Sequence, residues 1–117
     1  MNNNANDWKY DATVNRVVDG DTIIATVDLG FSVQMVQTFR LVGINTPELH
    51  GESKVLGLSA KQFLIDWIEN KRVIIETHKD ATEKFGRYLA TIWLDDINVN
   101  HLMIQEGHAV EYFGGKR

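Results

Sequence analysis

The chain has no cysteine and a single proline in 117 residues. Without thiols there is neither a disulfide framework nor a thiolate metal site. Stability must come from packing. A domain of this length buries roughly two thirds of the surface its unfolded chain exposes, so one core suffices and a second domain has no room. Long apolar runs are missing as well. No segment approaches the ~18 residues of a membrane-spanning helix, which points away from a membrane partner. Positive charge is in short supply, with 12 Lys and Arg against 16 Asp and Glu and a formal net charge of −4. That balance excludes a broad basic clamp for nucleic acid. It leaves room for a catalyst that touches one or two phosphates, where a few arginines and a bound cation supply the local field. The start, Met1 to Asp7, has no basic segment followed by an apolar one, so it does not read as an export signal and points to an intracellular protein. Residues 1–8 are expected to be a disordered lead-in, 9–113 the folded domain and 114–117 a frayed end.

No repeat, low-complexity tract or internal linker interrupts the chain. Tyr10 to Val18 is rich in β-branched residues and reads as a strand, followed by the turn dipeptide Asp19-Gly20. Thr22 to Val27 continues as a second strand. Ser32 to Ile44 reads as a long third one, with Val33, Met35, Gln37, Phe39 and Leu41 inward and Arg40 on the other face. The period then changes. Ala60, Phe63, Leu64, Trp67 and Ile68 recur at helical spacing, with Leu56 one turn earlier, Ser53 or Ser59 as caps and Asn70-Lys71 at the end. Val73–Thr77 and Leu89–Leu94 read as two further strands. A short helix over Val99, Leu102, Met103 and Glu106 follows, with Asn98 as its cap and Gly107 as its stop. Ala109–Phe113 reads as an extended tail. Five strands and two helices fit an OB-type barrel, and the pattern alone also fits another α+β layer fold.

Three stretches carry candidate chemistry. Asp19-Gly20-Asp21-Thr22 is a turn that also offers a carboxylate to a hard cation. Arg40 through Glu48 ends a strand in a turn fixed by Pro47, and presents Asn45, the Thr46 carbonyl and Glu48. Glu83 through Leu89 exposes Arg87 after Gly86, and arginine's planar fork suits a phosphate. Taken singly, each has a bland explanation as a turn or a solvated charge. Together they meet one demand. Phosphodiester hydrolysis needs a cation, a base for water, and donors for the developing charge. Asp21, Asn45 and Thr46 would hold the cation, Glu48 would be the base, and Arg40 and Arg87 would grip phosphate oxygens. His50, His78, His101 and His108 are scattered, with no pair at i, i+4, and do not suggest zinc.

On these residues, Val18 to Thr22, Phe39 to Leu41, Asn45 to Glu48, Lys84 to Arg87 and Val99-Asn100 through Gly107, in that order and spacing, the chain resembles the thermonuclease family, also called the staphylococcal nuclease-like domain. The resemblance spans about residues 10 to 113. It implies a five-stranded OB-fold β-barrel with two helices, and calcium-dependent hydrolysis of DNA or RNA, single strands preferred. By similarity, Asp21 and the Thr46 carbonyl would ligate calcium and Glu48 would activate water. Arg40 and Arg87 would stabilise the transition state, with Lys84 and Tyr112 on the substrate side. A monomer is expected. Three departures stand out. Asn45 replaces a frequent aspartate, which predicts weaker calcium binding. The loop Leu49–Lys54 is short and has few lysines. The chain stops at Arg117, before the C-terminal helix of longer members. The competing readings are a barrel that binds single strands without cutting, and a protein-interaction module that has lost the chemistry.

Overall fold

Residues 8–82 and 86–112 are described by a computed structural model of the chain. The β-branched first third folds as an antiparallel meander of β1 (Lys9–Asp19), β2 (Thr22–Gly30) and β3 (Val33–Leu41). A register shift in β1 between Val14 and Arg16 bends it, so that it also pairs with β5 (Arg72–Thr82). β5 pairs with β6 (Tyr88–Leu94), and β6 returns to β3 in parallel at Phe39–Tyr88, Arg40–Leu89 and Leu41–Ala90. That last pairing closes a five-stranded barrel, as expected for an OB-type fold. Its interior is filled by Val14, Ile23, Ala25, Leu41, Ile75 and Ile92, all fully buried.

The long helix α1 (Lys54–Ile68) lies across the barrel, with Ala60, Leu64 and Ile68 fully buried on one stripe and Phe63 and Trp67 flanking it. β4 (Ile44–Asn45) pairs with β8 (Val110–Glu111), and β7 (Ile97–Asn98) leads into α2 (Val99–Gln105). The Asn98 side chain caps α2 by accepting from the His101 N–H, and Gly107 leaves it at φ 79°, both as expected. From α2 the buried Asn100 reaches the barrel seam. It donates to the Val42 and Ala90 carbonyls and accepts from the Ile92 N–H, so the closing strands' loose backbone groups are satisfied.

Several expectations need correction. The third strand is not continuous to Ile44. It ends at Leu41, Gly43 turns at φ 83°, and Ile44–Asn45 form a separate strand. Ser32 lies in the β2–β3 turn at φ 64°. The alternating face of β3 enters the core only at Phe39 and Leu41, because Val33 and Met35 extend past the end of the barrel and are about half exposed. Leu56 does not pack. It is 64% exposed, and Gly57 occupies the buried stripe in its place. Ser53 stands at the helix start without capping it, its hydroxyl donating to the Glu48 and His50 carbonyls. The β1–β2 turn runs through Gly20 and Asp21, since Asp19 pairs with Thr22. Of the expected lead-in over 1–8 only Trp8 is described, its carbonyl accepting from the Thr77 N–H; the rest of it, the frayed end and Phe113 lie outside the described residues.

Gly57 lets α1 sit directly on the turn that follows β4. A Cβ there would overlap the Glu48 carbonyl oxygen and come within 2.9 Å of the Pro47 oxygen. Both neighbours are backbone and cannot swing aside, so Gly57→Ala is expected to destabilise the fold by about 2–3 kcal/mol despite alanine's better helix propensity. Urea melts of the two proteins check this, and an unchanged midpoint would refute the tight approach.

Candidate active site

The site begins with Gly20. A Cβ on it would lie 2.9 Å from Ala60 Cβ and 3.0 Å from Thr46 Cβ, so the β1–β2 turn is pressed against both α1 and the Thr46 loop. Asp21 is thereby driven inside, to 8% exposure. A buried carboxylate needs partners, and Asp21 has three. Its Oδ1 accepts from the Thr22 hydroxyl at 3.2 Å, and its Oδ2 accepts from the Thr46 N–H at 3.2 Å and from Arg40 Nη2 at 3.4 Å.

Arg40 leaves β3 on the face opposite Phe39 and Leu41 and is mostly buried. Nη1 donates to the Leu41 and Ile44 carbonyls, both at 3.0 Å, which brackets the Gly43 turn. Nη2 donates to Asn45 Oδ1 at 2.7 Å as well as to Asp21. The Tyr112 ring lies 5.6 Å from the guanidinium carbon, held there by the Tyr112 N–H bond to Gly43. Arg87, just before β6, reaches the same cluster from the other side of the seam. Its Nη1 donates to Thr22 Oγ1 at 3.1 Å. The two guanidiniums thus connect to the two oxygens of one carboxylate, Arg40 directly and Arg87 through Thr22.

Glu48 stands apart. Its side chain is 59% exposed and pairs with His50 Nε2 at 3.1 Å. Its backbone is fixed by α1 and Ser53, and its Cα lies within about 7 Å of that of Thr46. Among the described residues no three acidic or imidazole side chains gather as a metal cage. Lys84 lies outside the described residues. Asn45 is present in the cluster, but its oxygen is turned to Arg40. Tyr112 packs beside Arg40 rather than standing clear as a stacking platform. The sequence reading missed Thr22 as the link to Arg87, and it treated Asp19 only as a turn residue. The Asp-x-Asp spacing was the available signal. Asp19 Oδ1 accepts from the Asp21 N–H at 3.1 Å, and burial, then the neighbouring Asp21, push its carboxyl up from 3.8 to about 6.

A sequence model described as staphylococcal nuclease homologue matches residues 38–117 of this chain. The chain belongs to that family. The matched range of this nuclease-homologue domain takes in Arg40, Asn45 to Glu48, Arg87 and Tyr112, and starts after Asp21. The chain is 35% identical over 99 residues to a thermonuclease of Staphylococcus intermedius, covering 82% of this chain and 56% of that protein. It is 34% identical over 109 residues to a thermonuclease of Staphylococcus hyicus, covering 91% and 60%. An SPbeta prophage-derived endonuclease of Bacillus subtilis is 31% identical over 103 residues, covering 85% of this chain and 33% of its own length. The chain therefore spans a little over half the length of the two thermonucleases.

Asp19 makes the metal-free domain pH-sensitive. The folded protein holds this proton more tightly than the unfolded chain does, so its contribution to stability is full below about pH 4 and is lost as pH rises through about 6. Asp19→Asn keeps the oxygen that accepts from Asp21. With chelator present it is expected to stabilise the protein at pH 7.5 by about 1–2 kcal/mol, and to have little effect at pH 4, allowing for partial solvent screening. Urea melts at the two pH values measure this, and an equal shift at both would contradict it.

Proposed function

We propose that this domain is a metal-dependent nuclease that hydrolyses DNA or RNA, preferring single strands, with water as the nucleophile. The observation that carries the reading is the convergence of Arg40, from β3, and Arg87, from just before β6, around Asp21, Arg40 directly and Arg87 through the Thr22 hydroxyl. A cluster that existed only to fill the barrel mouth would not need two guanidiniums beside one buried acid, because burying charge is costly. Membership of the nuclease-homologue family and similarity to two thermonucleases support the same reading.

The oxygen-only donors fit calcium or a similar hard cation. Asp19 supports this fit, since a partly buried carboxyl raised by burial and then by its acidic neighbour is the environment a divalent ion would relieve. Asp21 and the Thr46 carbonyl would hold the ion, with Asp19 beside them. Asn45 would join only by releasing Arg40. An ion held there would polarise the phosphate and offset charge building on its oxygens.

The remaining chemistry falls to side chains. Arg40 and Arg87 donate to the non-bridging oxygens, and their existing bonds hold them in place before substrate arrives. Glu48 takes a proton from the attacking water. Its pair with His50 is exposed and worth at most about 1 kcal/mol, so turning inward costs little. Tyr112, packed beside Arg40, would border the substrate.

Single-stranded DNA incubated with Ca2+ or with chelator tests the proposal. Cutting is expected with metal alone, and Glu48→Gln and Arg87→Ala are each expected to lower kcat by about 10²–10³-fold while circular dichroism stays unchanged. Binding without cutting would instead assign a single-strand-binding barrel. Neither binding nor cutting would assign an interaction module.

Asn45 sets the metal affinity in this scheme. Asn45→Asp is expected to tighten calcium binding about tenfold. A nearby unit charge is worth roughly 4 kcal/mol per charge on the ion at an effective dielectric of ~20, and dehydration returns most of it. Calorimetric titration measures this. Equal affinities would make residue 45 a partner of Arg40 and not a ligand.

A further inference from the structure

The Arg40 cluster sits at one end of an outer sheet face that continues away from it. Burial of Val14, Val17, Ile23 and Ala25 fixes which side chains of β1 and β2 point inward. Arg16 of β1 and Ile24 of β2 therefore point outward, as Arg40 does from β3. The register sets Arg16 across from Ile24 and Ile24 across from Thr38, two residues before Arg40. On the other side of β1, Arg72 of β5 stands across from Thr13. The three arginines form a diagonal. With strands ~4.8 Å apart and a rise of ~3.3 Å per residue, the Arg16 Cα lies about 8 Å from that of Arg72 and about 12 Å from that of Arg40.

A bulge puts Arg16 in this line. Val14 faces the core, so regular alternation would turn residue 16 inward as well. Asn15 is inserted between Val14 and Arg16, which sends both Asn15 and Arg16 outward and returns Val17 to the core. The insertion is anchored on the same face. The Asn15 amide donates to the Thr26 hydroxyl at 2.8 Å and accepts from it at 3.2 Å. Arg16 and Arg72 are both exposed, and among the described residues neither has a hydrogen-bond or ion-pair partner. Glu69 reaches β1 beside Arg16, but its Oε2 accepts from the Val17 N–H. Between the Asp19–Asp21 turn and Asp11 and Asp28, β1 and β2 place no carboxylate on this face, in a chain with more acids than bases.

We propose that a nucleic-acid single strand lies along this face as it runs into the candidate active site, with Arg16 and Arg72 on phosphates to one side of the scissile one. The choice of occupant rests on charge complementarity and on continuity with the site. Unpartnered guanidiniums in line with Arg40 match a backbone that carries a phosphate at every step. Ile24, partly exposed between Arg16 and Thr38, offers an apolar surface to a sugar or base. The line is one residue wide, so it adds a few phosphate contacts and no broad basic clamp, which agrees with a net charge of −4. The proposal rests on the nuclease reading for where the strand ends, at Arg40 and Arg87, and on the sheet alone for where it lies.

Fluorescence anisotropy of a labelled dodecathymidylate tests this, with chelator present so that the strand stays intact. Binding is followed between about 50 and 200 mM salt, where phosphate contacts dominate the salt dependence. Arg16→Ala is expected to weaken binding about three- to tenfold at the lower salt. It should also reduce the slope of log K against log salt by about 0.7, the share of one phosphate, and Arg16→Ala with Arg72→Ala by about twice that. Lys9→Ala removes an equal charge beyond Asp11, where the ammonium lies over the Trp93 ring, and is expected to change neither quantity. All three proteins should melt with the wild type, since the altered side chains are exposed. A strand that does not bind, a slope unchanged by Arg16→Ala, or an equal loss in Lys9→Ala would overturn the proposal, and cutting of the same strand in calcium would leave the nuclease reading standing. Binding that the arginine variants weaken, with no cutting in calcium, would keep the strand on this face and remove the nuclease reading.

Discussion

The candidate site depends on one buried guanidinium. Arg40 ties the Leu41 and Ile44 carbonyls, the Asn45 amide oxygen and the Asp21 carboxylate into a single constellation, with the Tyr112 ring beside it. No other side chain could do this. Lysine has three donors on a point charge, whereas arginine has five in a fixed plane and never loses its proton. The backbone carbonyls at the Gly43 turn would otherwise have to find water in a nearly closed space. The same donors suit the oxygens of a phosphate, so a substrate there would have to exchange some of these bonds for its own.

Asn45 alters the charge balance of this constellation. The two arginines, Arg40 on Asp21 and Arg87 on Thr22, match Asp19 and Asp21 in number, so these four groups sum to zero when both acids are ionised. An aspartate at position 45 would make the sum negative. The amide therefore trades attraction for a cation against tolerance of an anionic polymer. In a chain of net charge −4, with few lysines in the Leu49–Lys54 loop, that trade favours the approach of a phosphate.

Much of this was legible in the sequence because glycine and proline punctuate it. Gly20, Pro47 and Gly86 mark the turns that carry Asp21, Glu48 and Arg87, and the change of period after Pro47 marks α1. What was not legible was where alternation stops mattering. Val33 and Met35 continue the apolar face of β3, and only the length of the barrel leaves them outside. Helical spacing admitted Leu56 as readily as Gly57, and the choice was made by the backbone of Glu48, which no pattern in α1 reveals. The orientation of Glu48 toward His50 and of Asn45 toward Arg40 depends on contacts a few ångströms long. A linear sequence carries the residue types for such contacts but not their directions.

The barrel is closed by only three parallel residue pairs, from Phe39–Tyr88 to Leu41–Ala90, braced by Asn100. The two arginines stand on opposite sides of that join, Arg40 within it and Arg87 one residue before it. A brief parting of β3 from β6 would separate the guanidiniums while the meander, α1 and most of the core stayed intact. On the proposed nuclease reading, turnover would then fade on warming before any loss of secondary structure registered, which would make the candidate site the most delicate gauge of whether the closure is made.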